Sequence, residues 1–265
     1  MKPFLKWAGG KRWLVERADF TLPVFAGRYI EPFVGGGAVF FYAQPSKAIL
    51  GDANQRLIET YTAIRDDPEG VARLLQAHQL CHSSDHYYRE RAKTRPTKVG
   101  RAAQFLYLNR TCWNGLYREN LRGQFNVPIG TKTSIFDAAE DFGAISQALT
   151  SAQLFNQDFE ETISLAQAGD FVFVDPPYTT AHNMNGFVKY NQTIFSWSDQ
   201  ERLKTAAMAA RRRGATVYIT NAHHASLLDL YHDADELRPI ARKSVISGRA
   251  QGRGATSELL ILLRP

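Results

Sequence analysis

Only two cysteines, Cys81 and Cys112, occur in 265 residues, too few for a disulfide framework. No apolar run approaches the roughly 18 residues that read as a membrane helix, and no secretory leader is expected. Acid is missing from one long tract: Leu237 to Ser257 holds no Asp or Glu but carries Arg238, Arg242, Lys243, Arg249 and Arg253. Internal repeats, low-complexity tracts and interdomain linkers are absent as well. A small disulfide-stapled fold, a membrane span and a repeat array are thereby excluded. The expectation is a cytoplasmic protein with no membrane partner.

What is present points to a globular chain with a polyanionic partner. Hydrophobic residues make up 44% and charged residues 22%, enough to bury a full core as one large domain or one domain with an insertion. The net charge of +6 suits nucleic acid, although many basic proteins bind none.

The most informative stretch is Phe171-Val172-Phe173-Val174-Asp175-Pro176-Pro177-Tyr178. Four apolar β-formers predict a buried parallel strand. Two prolines stop it, because they lack the N–H that a sheet ladder needs and fix φ. Asp175 and Tyr178 are therefore expected on a stiff turn at the carboxyl end of a strand, where open α/β sheets bind ligands. A carboxylate and the Pro176 carbonyl on such a turn can accept the two N–H bonds of an exocyclic amine and favour its pyramidal, nucleophilic form. Tyr178 can stack on the base. The plain alternative is a proline-stiffened strand end with a core tyrosine.

Upstream, Lys6-Trp7-Ala8-Gly9-Gly10-Lys11 leads to a possible helix start at Lys11. Tyr29-Ile30-Glu31-Pro32-Phe33-Val34-Gly35-Gly36-Gly37 reads as a strand entering a glycine turn, followed by an apolar helical segment. Such a turn lets a nucleotide-like ligand lie against main chain. The next strand, Lys47 to Asp52, ends in an acid suited to ribose hydroxyls, or to capping the helix expected near Asn54.

From about residue 55 to 110 the spacing of Leu57, Ile58, Tyr61, Ile64, Val71, Leu74 and Leu75 predicts helices. His78, His82 and His86 recur every four residues beside Cys81, but Ser83-Ser84-Asp85 predicts a helix break there, so no metal is expected. Phe105 to Gly130 is rich in aromatic, Asn and Arg residues, suited to wedging between bases and pairing with base edges, or to a β-hairpin with a small core of its own. A helix over about 137–149 follows, then a strand over 153–156. Asp158 and Phe159 could hold a cofactor's adenine ring or serve as a helix cap and a core phenylalanine. Thr179 to Ser196 reads as a lid, 199–213 as an amphipathic helix, 216–220 as a strand. The basic tract with Arg249 and Arg253 suits DNA phosphates or is a solvated loop, and Glu258 to Leu263 closes the sheet.

In this order the motifs resemble the DNA adenine methylase family, the α group of AdoMet-dependent N6-adenine DNA methyltransferases. The carrying pieces are Phe4 to Lys11, Glu31 to Gly37, Asp52-Ala53-Asn54, Phe105 to Arg110, Asn114-Gly115-Leu116, Phe125 to Pro128, and Asp175 to Tyr178. The resemblance implies an α/β fold: a Rossmann-like methyltransferase sheet (residues 1–56 and 146–265) with an inserted, mainly helical DNA-recognition domain (57–145). It implies S-adenosyl-L-methionine held by Trp7, Gly9, Lys11, Phe33, Gly35, Gly37, Asp52, Asp158, Phe159 and Asp175, and a flipped adenine engaged by Asp175, Pro176 and Tyr178. It implies double-stranded DNA, with GATC as target, contacted through Lys6, Arg110, Trp113, Asn114, Leu116, Arg118, Asn126, Pro128, Arg249 and Arg253. Lys6 and Arg118 would read guanines and Trp113 would intercalate, although a smaller residue is usual at that position. The protein is expected to act as a monomer, or as a weak dimer on DNA. An RNA-adenine enzyme, a protein-glutamine enzyme and a catalytically silent DNA-binding relative stand as alternatives; Asp175 argues against the glutamine enzyme, which commonly has Asn there.

Overall fold

A computed structural model describes residues 1–120, 123–137, 140–179, 195–243 and 255–265. In chain order the elements are α1 (Arg12–Val15), β1 (Tyr29–Glu31), α2 (Ala38–Ala43), β2 (Ala48–Asp52), α3 (Gln55–Asp66), α4 (Pro68–Cys81), α5 (Ser84–Ala92) and α6 (Lys98–Thr111). A 3-10 turn over Trp113–Gly115 precedes α7 (Phe142–Leu149), β3 (Ala152–Asn156), α8 (Phe159–Ser164) and β4 (Phe171–Val174). The chain closes with α9 (Trp197–Arg212), β5 (Thr216–Ala222), α10 (Ala225–Leu230), β6 (Glu236–Lys243) and β7 (Ala255–Leu263). Seven strands of mixed direction with helices between them make an α/β protein.

The chain divides into two compact units: Met1–Leu22 with Val34–Asn156, and Pro23–Phe33 with Gln157–Pro265. In the first, β2 and β3 pair in parallel from Ala48↔Ala152 to Asp52↔Asn156. Five helices there start on side-chain caps: Asn54 accepts the Leu57 N–H, Asp67 that of Gly70, Ser83 that of His86, Thr97 that of Gly100 and Asp141 that of Ala144. Each such cap is worth about 1 kcal/mol. Buried Leu57, Ile58, Tyr61 and Ile64 form the inner face of α3, and the body of α6 is buried on nearly every side. The predicted break at Ser83 is present, between α4 and α5.

In the second unit the strand order is β1-β4-β5-β7-β6. β4 lies parallel to β1 and β5, while β7 runs antiparallel to both β5 and β6. All four residues of β4 are fully buried, as a parallel strand covered on both faces should be. α9 begins with a capping box of Ser196 and Asp199. Arg28 fastens the segment before β1 to Asp170, just before β4, through an ion pair of 2.7 Å.

The helical stretch over 57–145 shares a unit with β2, β3 and the N-terminal segment. The stretch after α6 forms no strand among the described residues; it holds only the isolated bridges Cys112↔Ile129 and Glu119↔Phe125. Its glycines and Asn114, whose φ is 55°, favour turns over a ladder. No described helix is long and apolar enough to cross a membrane.

Candidate active site

The turn after β4 has the geometry its sequence predicts. Val174 ends the strand opposite Ile219 of β5, and Asp175 follows, half-buried, with Pro176 buried behind it. Thr220, one residue beyond the paired position on β5, donates its hydroxyl to Asp175 Oδ1 at 2.7 Å. Tyr178 donates its hydroxyl to Glu258 Oε2 at 2.5 Å. Burial, with the carboxylates of Asp175 and Glu258, pushes the Tyr178 phenol well above its usual range, so it remains a protonated donor.

In the other unit the glycine turn is built around aromatic rings. A Cβ on Gly35 would lie 2.7 Å from Trp7 Cδ1, and one on Gly37 would lie 2.7 Å from the Tyr61 hydroxyl. Both glycines have positive φ, 45° and 67°. Their first duty is therefore to let two rings close on the turn; approach of a ligand was the sequence-based expectation. Asp52, at the end of β2, accepts the N–H of Gly35 on Oδ2 (3.1 Å) and that of Asn54 on Oδ1 (2.9 Å). Asn54 is the helix cap, so Asp52 is not. Burial raises its carboxyl to about 6 against the pull of those two N–H groups. Lys11 is buried and caps α1, with Nζ on the Gly9 carbonyl at 2.7 Å. Space beside Gly9 is open.

Asp158 and Phe159 take the capping and core roles that the sequence left open. Asp158 accepts the Glu160 N–H and pairs with Arg202 at 2.9 Å. Phe159 is buried, stacked on Phe33 with ring centroids 5.3 Å apart, and covered by the Arg202 guanidinium at 4.8 Å.

Of the expected DNA contacts, Lys6, Trp113, Asn114, Leu116, Arg118 and Pro128 are exposed. Trp113 retains 53% of its surface, unusual for so large an apolar ring. Lys6 is held at the backbone by Asn109, whose side chain accepts its N–H at 3.1 Å and donates to its carbonyl at 2.8 Å. The Lys6 stem lies against Gly115. Arg118 Nε donates to Asn126 Oδ1 at 2.9 Å. Lys6, Trp7, Asn114 and Gly115 line an open cleft of about 1090 Å³. Arg110 is a correction: its guanidinium binds both oxygens of Glu140 and the carbonyls of Ile135 and Phe4, with 8% of the side chain exposed. Those acceptors occupy it as an internal brace, and it is not carried into the interface. Arg249, Arg253 and most of the expected lid lie outside the described residues.

The helix break does not separate the histidines. His78 Nδ1 and His86 Nε2 share a hydrogen bond of 3.0 Å, and His82 meets the Tyr107 hydroxyl at 3.0 Å. Glu90, the third member of that group, is paired with Arg95 at 2.5 Å. Burial lowers the His78 pKa to about 4. The ligand-capable atoms of His78, His86 and Glu90 all lie within 4.8 Å of one another.

Comparison with known proteins fits this arrangement. The family described as D12 class N6 adenine-specific DNA methyltransferase matches residues 7–245. The chain belongs to that family. A DNA adenine methylase of Serratia marcescens is 35% identical, covering 99% of this chain and 98% of its own. A type II methyltransferase of Lactococcus lactis subsp. cremoris is 34% identical, over 98% and 95%. A DNA adenine methylase of Escherichia coli K12 is 33% identical, over 100% and 96%. A D12 methyltransferase acts on adenine in DNA, which sets aside the RNA and protein-glutamine alternatives.

Three residues of this D12 enzyme escaped the sequence reading. Thr220 sat in an ordinary strand pattern with nothing to mark it. Asn109 lay inside a helix, where its pairing with a residue 103 positions away leaves no local trace. Glu258 did carry a signal: it is the first acid after the acid-free tract, placed at the head of an apolar strand.

Proposed function

We propose that this chain transfers a methyl group from S-adenosyl-L-methionine to N6 of an adenine flipped out of double-stranded DNA, within GATC, in the cytoplasm. The observation that carries the reading is the turn after β4, where Thr220 holds Asp175 at 2.7 Å on a backbone stiffened by two prolines. The sulfonium donor, when bound, supplies an electrophilic methyl carbon.

The protein's part is positioning and electrostatics. Asp175 and the Pro176 carbonyl accept the two N–H bonds of the target amine, drawing its lone pair out of the ring plane and toward the methyl carbon. The Asp175 carboxylate offsets the positive charge that grows on N6 as its bond to carbon forms, and the methylated nitrogen then gives up one proton to solvent. Tyr178 stacks on the extruded base and offsets lost stacking. The residues assigned to the methyl donor are Trp7, Gly9, Lys11, Phe33, Gly35, Gly37, Asp52, Asp158, Phe159 and Asp175. They fit it in one specific respect: Asp52 is a strand-end carboxylate whose charge is costly until it gains donors, and ribose hydroxyls are such donors. On the DNA side, Lys6 and Arg118 read guanines, Trp113 wedges beside the target, and Asn114, Leu116, Asn126 and Pro128 frame them.

Asp175→Ala tests the reading. Methyl transfer to a GATC duplex should fall below detection while duplex binding by anisotropy stays within a fewfold of the parent. Near-normal turnover would remove Asp175 from the chemistry.

A further inference from the structure

Glu258 is a buried acid with no place in the mechanism above. It lies in β7 with 6% of its surface exposed, where a lone carboxylate would be costly. Each oxygen has a partner. Arg242 Nη1 donates to Oε1 at 2.5 Å, and the Tyr178 hydroxyl donates to Oε2 at 2.5 Å. The register explains how this acid reaches the turn. Ala222 of β5 lies opposite Glu258, and Thr220 opposite Leu260. Residues two apart on a strand share a face, as do directly opposed residues. Thr220 and Glu258 are therefore diagonal neighbours on one face of the β5–β7 ladder. Thr220 holds Asp175, and Glu258 holds Tyr178.

We propose that Glu258 is a positioning residue for methyl transfer: its carboxylate, balanced by Arg242, fixes the Tyr178 ring through the hydroxyl so that the ring face meets the target base. The proposal rests on the assignment of Asp175 to Tyr178 as the catalytic turn. Glu258 touches neither base nor donor; it acts through Tyr178. A charge-assisted hydrogen bond gives the ring one orientation where a free tyrosine would turn about its side-chain bonds. Donation to a carboxylate also enriches the ring in electrons, which favours the cationic amine forming beside it. An ion pair that served only to join β6 to β7 would be replaceable by an apolar pair and would not explain why the second oxygen takes the turn's tyrosine.

The test is single-turnover methyl transfer by the full chain, with KM for a GATC duplex measured alongside. Tyr178→Phe removes one oxygen and no packing. It should slow transfer about tenfold, the weight of a hydrogen bond to a charged group, with KM nearly unchanged. Glu258→Ala should match it, and Glu258→Gln, which keeps a carbonyl acceptor, should recover part of the loss. The double variant Tyr178→Phe with Glu258→Ala should be no slower than the worse single, because both cut the same bond. A wild-type rate for Tyr178→Phe, or losses that multiply in the double, would overturn the proposal; the first result stands even if Glu258→Ala fails to fold. Asp175→Ala, assayed in parallel, separates the two ideas. Activity there would remove the catalytic turn itself, whereas an inactive Asp175→Ala beside a fully active Tyr178→Phe would remove only Glu258.

Discussion

Asp52 carries a charge that its surroundings oppose. With its carboxyl raised from 3.8 to about 6, the folded protein holds a proton there more tightly than the unfolded chain does. The associated stability is complete below pH 4 or so and is lost as pH rises through about 6. Asp52→Asn cannot titrate. Relative to that variant, the parent should therefore lose stability between about pH 4 and pH 7, by at most about 3 kcal/mol. Urea unfolding of both proteins across that range checks it, and a difference independent of pH would contradict it. At this scale the sequence was readable where a residue's place follows from its own neighbours, as do the strand-end positions of Asp52 and Asp175. It was misleading where a distant partner decides. Arg110 looks like a DNA contact until Glu140 is brought to it, and nothing in a one-dimensional pattern marks that pairing.

Helices and parallel strands were legible as elements because their signals are local. Apolar spacing drew α3 and α4, Ser83 marked the break before α5, and the prolines after Val174 ended β4. The stretch after α6 was less so. Its aromatic and glycine content allowed a hairpin, yet the described residues form a 3-10 turn and two isolated bridges. The reason is packing across the unit: Tyr117 stacks on Trp7 at 5.7 Å and lies 4.8 Å from Phe105, so the segment folds onto aromatic rings rather than onto its own strand. That support leaves Trp113 and Arg118 presented outward. Arg118→Ala should relax discrimination at one guanine of the target by about 1–3 kcal/mol, measured as relative methylation rates on duplexes substituted at each position. An unchanged preference would take Arg118 out of the readout.

The whole molecule is a basic D12 methyltransferase chain in two units, one carrying the glycine turn, Asp52 and the exposed Lys6, Trp113 and Arg118, the other carrying the turn after β4. Motif order along the chain made that assignment visible, since seven short matches in register are far rarer than any one of them. The unit boundaries were not visible, because β2 and β3 group with helices that a count of strand–helix alternation assigns to an insertion. The central claim is that this chain methylates adenine at N6 within GATC. Single-molecule sequencing of plasmid DNA from a methylation-free host expressing the full chain tests it most directly. N6-methyladenine confined to GATC is the predicted result; N6-methyladenine at another motif, or none at all, would contradict it.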